Sequence, residues 1–110
     1  MKVSELTVGG ICRALALPEG DREINGVYIG DLLSWVMGRA GADEVWITIM
    51  SNVNVVAVAA LADTACVLFA EGVVPEASVI ETAEQKGINL LVSERSAYEL
   101  AVWLHQQCGS

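Results

Sequence analysis

EVWITIMSNVNVVAVAALADTACVLFA, residues 44–70, decides how this chain folds. Residues 44–50 are rich in β-branched and aromatic side chains and read as a buried strand. Residues 65–70 have the same character. Between them, residues 54–62 combine the β-branched content of a strand with a run of alanines, so periodicity alone leaves the segment open. If the flanking strands are parallel, a crossover helix must join them. The segment is therefore read as a helix, capped by Asn52 or Asn54.

Downstream, Pro75 at a first helical position, Glu76 in the first turn, Lys86 in the last and Gly87 just beyond mark a second helix. Residues 88–92 make a short apolar strand. Ser96 and Glu99 stand at capping-box spacing, where hydroxyl and carboxylate satisfy exposed backbone donors. Ala97, Leu100, Ala101, Leu104 and Cys108 then form an apolar stripe. From residue 44 onward the order is strand, helix, strand, helix, strand, helix. That alternation predicts an α/β sandwich of two or three layers around a mostly parallel sheet, with right-handed crossovers.

Upstream the pattern is less regular. Ser4 is a plausible cap for a short helix that Gly9-Gly10 ends. Residues 11–17 and 23–29 read as strands, the second interrupted at Gly26, with a turn over residues 18–21 between them. Asp31 stands where a helix cap should be. Leu33, Val36, Met37 and Ala40 follow at helical spacing, and Gly41 closes that helix.

With 110 residues the chain is read as one domain over residues 1–110. Apolar residues make up 54% of it, against a usual ~45–50%, and the excess suits a self-association surface. A homodimer is expected, since cyclic dimers are the commonest oligomers. The net charge is −8, and the six basic residues are scattered singly. Nucleic-acid binding, which needs clustered Lys and Arg, is not expected. No apolar run is long enough to span a bilayer, and residues 1–10 lack the hydrophobic core of a signal peptide. A cytoplasmic location is expected, with no membrane partner.

Catalytic equipment is sparse. His105 is the single histidine, without a carboxylate or cysteine at ligand spacing. Cys12, Cys66 and Cys108 form no C-x-x-C pair, so no zinc site or disulfide framework is expected, and Cys66 and Cys12 read as small buried hydrophobes. Neither G-x-G-x-x-G nor a P-loop is present. No catalytic residue, metal site or cofactor is assigned. Trp46 reads as core. Trp35 and Trp103 lie off their helices' apolar stripes and are candidates for a dimer interface or for second-face packing. Ligands of parallel sheets sit beyond the carboxyl ends of the strands. There Ser51, Asn52, Asn54, Glu71, Gly72, Ser93 and Arg95 could build a polar pocket with two helix N-termini, although capping and turn formation explain the same residues.

The segment DREINGVYIGDLLSWVMGRAGADEVWITIMSNVNVVAVAAL, residues 21–61, resembles the signature half of the DRTGG domain. VLFAEGVVPEASVIETAEQKGINLLVSERSAYELA is similar to its later half, so the resemblance covers nearly the whole chain. The name motif falls on Asp21, Arg22, Asn25 and Gly26, with Asn25 in place of threonine and Val27 in place of the second glycine. The resemblance implies a small α/β regulatory module that pairs into dimers and is not an enzyme. Such modules accompany CBS domains in nucleotide-regulated pyrophosphatases, occur in phosphotransacetylases, and look related to the non-catalytic N-terminal domain of HPr kinase/phosphorylase. Stand-alone copies occur in anaerobic bacteria near hydrogenase-type proteins. It also implies an adenine-nucleotide-type ligand and a redox- or kinase-related partner enzyme, or a pure adaptor without a ligand. The four motif positions are expected to be structural.

Overall fold

Strand and helix alternate as the apolar pattern requires. The structure, a computed structural model, describes the backbone of residues 1–108 and the side chains of residues 1–107. A 3₁₀ turn at Val3–Thr7 leads into β1 (Arg13–Ala16) and β2 (Gly26–Ile29). There follow α1 (Leu33–Arg39), β3 (Glu44–Thr48), α2 (Asn54–Ala62), β4 (Cys66–Phe69), α3 (Ala77–Lys86), β5 (Leu90–Val92) and α4 (Ala97–Cys108).

The five strands form one sheet in the order β1-β5-β4-β3-β2. The pairs β2–β3, β3–β4 and β4–β5 are parallel, and β1 runs antiparallel to β5 at the edge. Side chains of a strand alternate between faces, and the two cores follow that parity. Val45, Ile47, Cys66, Leu68 and Leu91 join Val3, Leu6, Leu100 and Leu104 on one face, under the 3₁₀ turn and α4. Trp46, Val67, Phe69, Leu90 and Val92 join Val36, Val55, Ala59, Val79 and Ala83 on the other, under α1, α2 and α3. The result is a three-layer α/β sandwich whose central strand, β4, is buried throughout.

Several local expectations shift. Lys2, not Ser4, precedes the 3₁₀ turn, and its backbone N–H donates to Glu5 Oε1 at 2.8 Å. The strand expected over residues 11–17 shortens to β1. The one over residues 23–29 begins at Gly26, because Glu23 forms an isolated bridge to Lys2 instead. Leu32, not Asp31, precedes α1. Asp31 Oδ1 accepts from Thr48 Oγ1 at 2.8 Å and from the Ile49 N–H at 3.0 Å, tying the start of α1 to the end of β3. Pro75 lies one residue before the cap of α3, Glu76. Asn52 Oδ1 accepts from the Asn54 N–H at 2.9 Å and so caps the entry to α2. Ser96 and Glu99 form the expected reciprocal bonds at the start of α4. The Cys108 end of the α4 stripe lies outside the described side chains.

Candidate functional site

The motif residues sit at the amino ends of the parallel strands. Arg22 Nε donates to Asp43 Oδ1 at 2.9 Å, just before β3. Its Nη2 donates to the Asp63 carbonyl and, at 2.8 Å, to Asp63 Oδ1, just before β4. Asp43 and Asp63 both hold positive φ, which costs a residue with a side chain, and the guanidinium anchors both turns. Partial burial works against its charge, but the hydrogen bonds to Asp63 and then Asp43 outweigh it and hold the group above its ordinary value. Asp21 is exposed and makes a long ion pair with Lys2, 4.0 Å. The Asn25 N–H donates to the Asp43 carbonyl at 3.0 Å. Gly26 opens β2, where a Cβ would come 3.1 Å from Glu44 Oε2. These positions share one locked end of the sheet.

Asn89 reinforces the same end and carried no signal in sequence. It is buried before β5, accepts from the Glu19 N–H at 2.9 Å, and donates to the carbonyls of Glu19 and Ala65, each at 2.9 Å. One side chain thus joins the turn after β1 to the entries of β4 and β5.

The carboxyl ends do not form the single pocket expected from sequence. After β4 the chain turns to α3 on one face, and after β5 to α4 on the other, the arrangement that opens a crevice in doubly wound sheets. Here the two loops close on each other. The Glu71 N–H donates to the Arg95 carbonyl at 2.9 Å and the Gly72 N–H to the Ser93 carbonyl at 2.8 Å. Gly72 has φ +71, and a Cβ there would lie 2.7 Å from Glu94 Oε2. Ser93 is buried and its hydroxyl caps the Arg95 N–H at 3.1 Å. Glu71, Gly72 and Ser93 therefore form a backbone seam.

The open space lies one strand over. A cleft of ≈ 410 Å³ between the entries of α2 and α3 is lined by Ser51, Asn52, Val53, Val74, Glu76, Ser78 and Val79. Asn54 is exposed on the first turn of α2. Arg95 lies elsewhere, in a groove of ≈ 300 Å³ along α4 with Tyr98, Glu99, Val102, Trp103 and Gln106. The main cleft thus has amides, hydroxyls and one carboxylate on its walls, with no guanidinium or ammonium to meet a phosphate.

The tryptophans divide by depth. Trp46 is fully buried and donates from Nε1 to the Gly30 carbonyl at 2.8 Å. Trp103 is half-buried against the α4-side core. Trp35 is 55% exposed on α1, with the Arg39 guanidinium 4.0 Å above its ring. His105 is exposed and borders a cleft of ≈ 390 Å³ with Asn25, Gly26, Val27, Glu44 and Ala101. Cys12 and Cys66 are free and buried; burial pushes the Cys12 thiol up to about 11 and raises the Cys66 thiol further. Among the described residues no group of three His, Cys, Asp or Glu side chains is placed to hold a metal ion. No helix among them is long and apolar enough to cross a membrane.

The chain is similar in structure to the CBS and DRTGG domains of the regulatory region of Clostridium perfringens pyrophosphatase, solved in complex with its activator, diadenosine tetraphosphate. The TM-score is 0.66 at 14% sequence identity, over 88% of this chain and 42% of that one. The fold is thus shared with a part of a larger regulatory region, and this chain spans less than half of it. No family model matches the sequence, and no curated protein matches it either.

Proposed function

We propose that this chain is a DRTGG-type regulatory module, not an enzyme, which pairs with itself and acts by binding a partner enzyme. The observation that carries this reading is its exposed apolar surface. Leu32, Trp35, Met37, Leu61 and Tyr98 all face solvent, while Arg22 and Asn89 at the amino ends of the strands are engaged with turns and backbone. Large exposed apolar and aromatic groups serve recognition between proteins. The shared fold with a pyrophosphatase regulatory region supports the same role. The buried free thiols Cys12 and Cys66 suit a reducing compartment, in keeping with a cytoplasmic place of action. Sedimentation across a dilution series tests the pairing: a concentration-dependent rise from the 11.7 kDa chain mass to twice that value is expected. A strict monomer at every concentration would sink it.

A second reading keeps an adenine-nucleotide-type ligand in the cleft between Asn52 and Ser78. Its support is that α2 and α3 both present their N-termini there, as anion sites do, and that the pyrophosphatase region was solved with diadenosine tetraphosphate. The absence of any basic side chain from the cleft lining ranks it below the adaptor reading. Calorimetric titration with diadenosine tetraphosphate and with AMP decides between them. Saturable heat that Asn52→Ala abolishes establishes the ligand; a flat titration leaves the adaptor.

A further inference from the structure

α2 is apolar on both sides. Val55, Val56, Val58 and Ala59 face the core. Val53, Ala57, Ala60 and Leu61, spaced four, three and one apart, face solvent, with Leu61 73% exposed. A helix that is hydrophobic all round is ordinarily covered on every side. α1 packs alongside it and exposes Trp35, Met37 and Arg39. Together the two helices present one charged side chain, Arg39, and no carboxylate, in a chain carrying fourteen acidic residues and a net charge of −8.

We infer that this α1–α2 face is where a second copy of the chain docks, across a twofold axis; the inference rests on the proposal that the chain pairs with itself. Charge selects both the face and the occupant. In a twofold contact each patch meets its own image, so residues near the axis face like residues. Any carboxylate there would confront another, and like charges opposed across an interface are repelled. α3 exposes Glu81 and Glu84, the start of α4 exposes Glu94 and Glu99, and the 3₁₀ turn exposes Glu5. Within their own spans α1 and α2 carry no carboxylate; the nearest, Asp31 before α1 and Asp63 after α2, stand at the ends of the face and are tied to Thr48 and Arg22. Its single cation is folded over the Trp35 ring, which keeps the charge against its own chain. Ala57 and Ala60 on the exposed stripe let two helix backbones approach closely, since interaxial distance follows the size of the contacting side chains. A partner protein of opposite charge would be drawn instead to the carboxylate-rich faces of α3 and α4.

The test is sedimentation of Ala57→Glu and Leu61→Glu beside the wild type, with Val102→Glu on α4 as the control. All three positions are exposed, and circular dichroism checks that each variant folds. The expected result is twice the 11.7 kDa chain mass for the wild type and the control, and the chain mass for the two α2 variants. Dimeric α2 variants overturn this face while the pairing stands. A monomeric wild type overturns the pairing and the face together. If the glutamates disturb folding, amide shifts of the wild type on dilution serve instead: changes along α1 and α2 support the inference, and changes confined to α3 or α4 refute it.

Discussion

At the amino ends of β3, β4 and β5, Arg22 and Asn89 bind the turns around them. At the carboxyl ends, Ser51, Asn52, Glu76 and Ser78 line an open cleft. The difference follows from chain direction. Each of these amino ends receives a chain returning from a helix through positive φ, at Asp43, Asp63 and Gly87, and Arg22 holds the first two, which carry side chains. The carboxyl ends of β3 and β4 release the chain toward the N-termini of α2 and α3, and the cleft opens between those two entries. The sheet is therefore held by side chains at its amino end, whereas its carboxyl end is closed by the Glu71–Arg95 and Gly72–Ser93 seam beside β5 and open only at the cleft, and the motif residues belong to the first end.

Asn89→Ala should break this comparison hardest if it is wrong. It removes three hydrogen bonds and strands the buried carbonyl of Ala65, and a loss of about 2–4 kcal/mol is expected in urea unfolding. A loss below ~1 kcal/mol would mean that the amino end is not held by Asn89. Arg22→Ala follows, at about 1–3 kcal/mol and weaker at high salt, because its partners are partly exposed. Arg22→Lys should recover only part of this, since an ammonium cannot fork to two turns. Gly72→Ala probes the seam between the β4 and β5 loops; with φ +71 it should cost about 1–2 kcal/mol, read as a lowered melting temperature. Asn52→Ala, at the open end, loses one capping bond and should cost about 0.5–1 kcal/mol by the same measurement.

The smallest effect is in pH. The Ser96 backbone N–H, and then its hydroxyl, hold the Glu99 carboxyl below its ordinary value. Its contribution is therefore complete above the unfolded carboxylate value and is lost as pH falls through the lowered folded value. Acid titration of the wild type followed by circular dichroism should show α4 loosening over that window. Ser96→Ala should flatten the response.

The parallel core was legible in sequence because its signals are local. A β-branched run at residues 44–48, the αL glycine Gly87 and the Ser96–Glu99 box each act within a few residues, and α2 occupies Asn54–Ala62 as read. The site was less legible because it depends on which loops touch. Nothing in Glu71, Gly72 or Ser93 tells that their backbones close on each other, or that Arg95 turns away to α4. Asp31 has the chemistry of a cap but is drawn off by Thr48, seventeen residues away. Asn89 pairs with Glu19 across seventy residues, a separation no local pattern encodes. The apolar excess in the composition was visible from the start, whereas which side chains stay exposed, Trp35 and Leu61 on α1 and α2 but also Val8 and Tyr98, needed the fold.

Cys66 opens the central strand and is fully enclosed, while Cys12 sits shallower, just before the edge strand β1. Only a thiolate reacts with an alkylating agent, and neither thiol ionises readily where it stands. Each must be uncovered before it can be modified, so the labelling rate of each measures how often its surroundings open. Cys12 and Cys66 thus provide a paired clock, with Cys12 timing fraying of the sheet edge and Cys66 timing rupture of its centre.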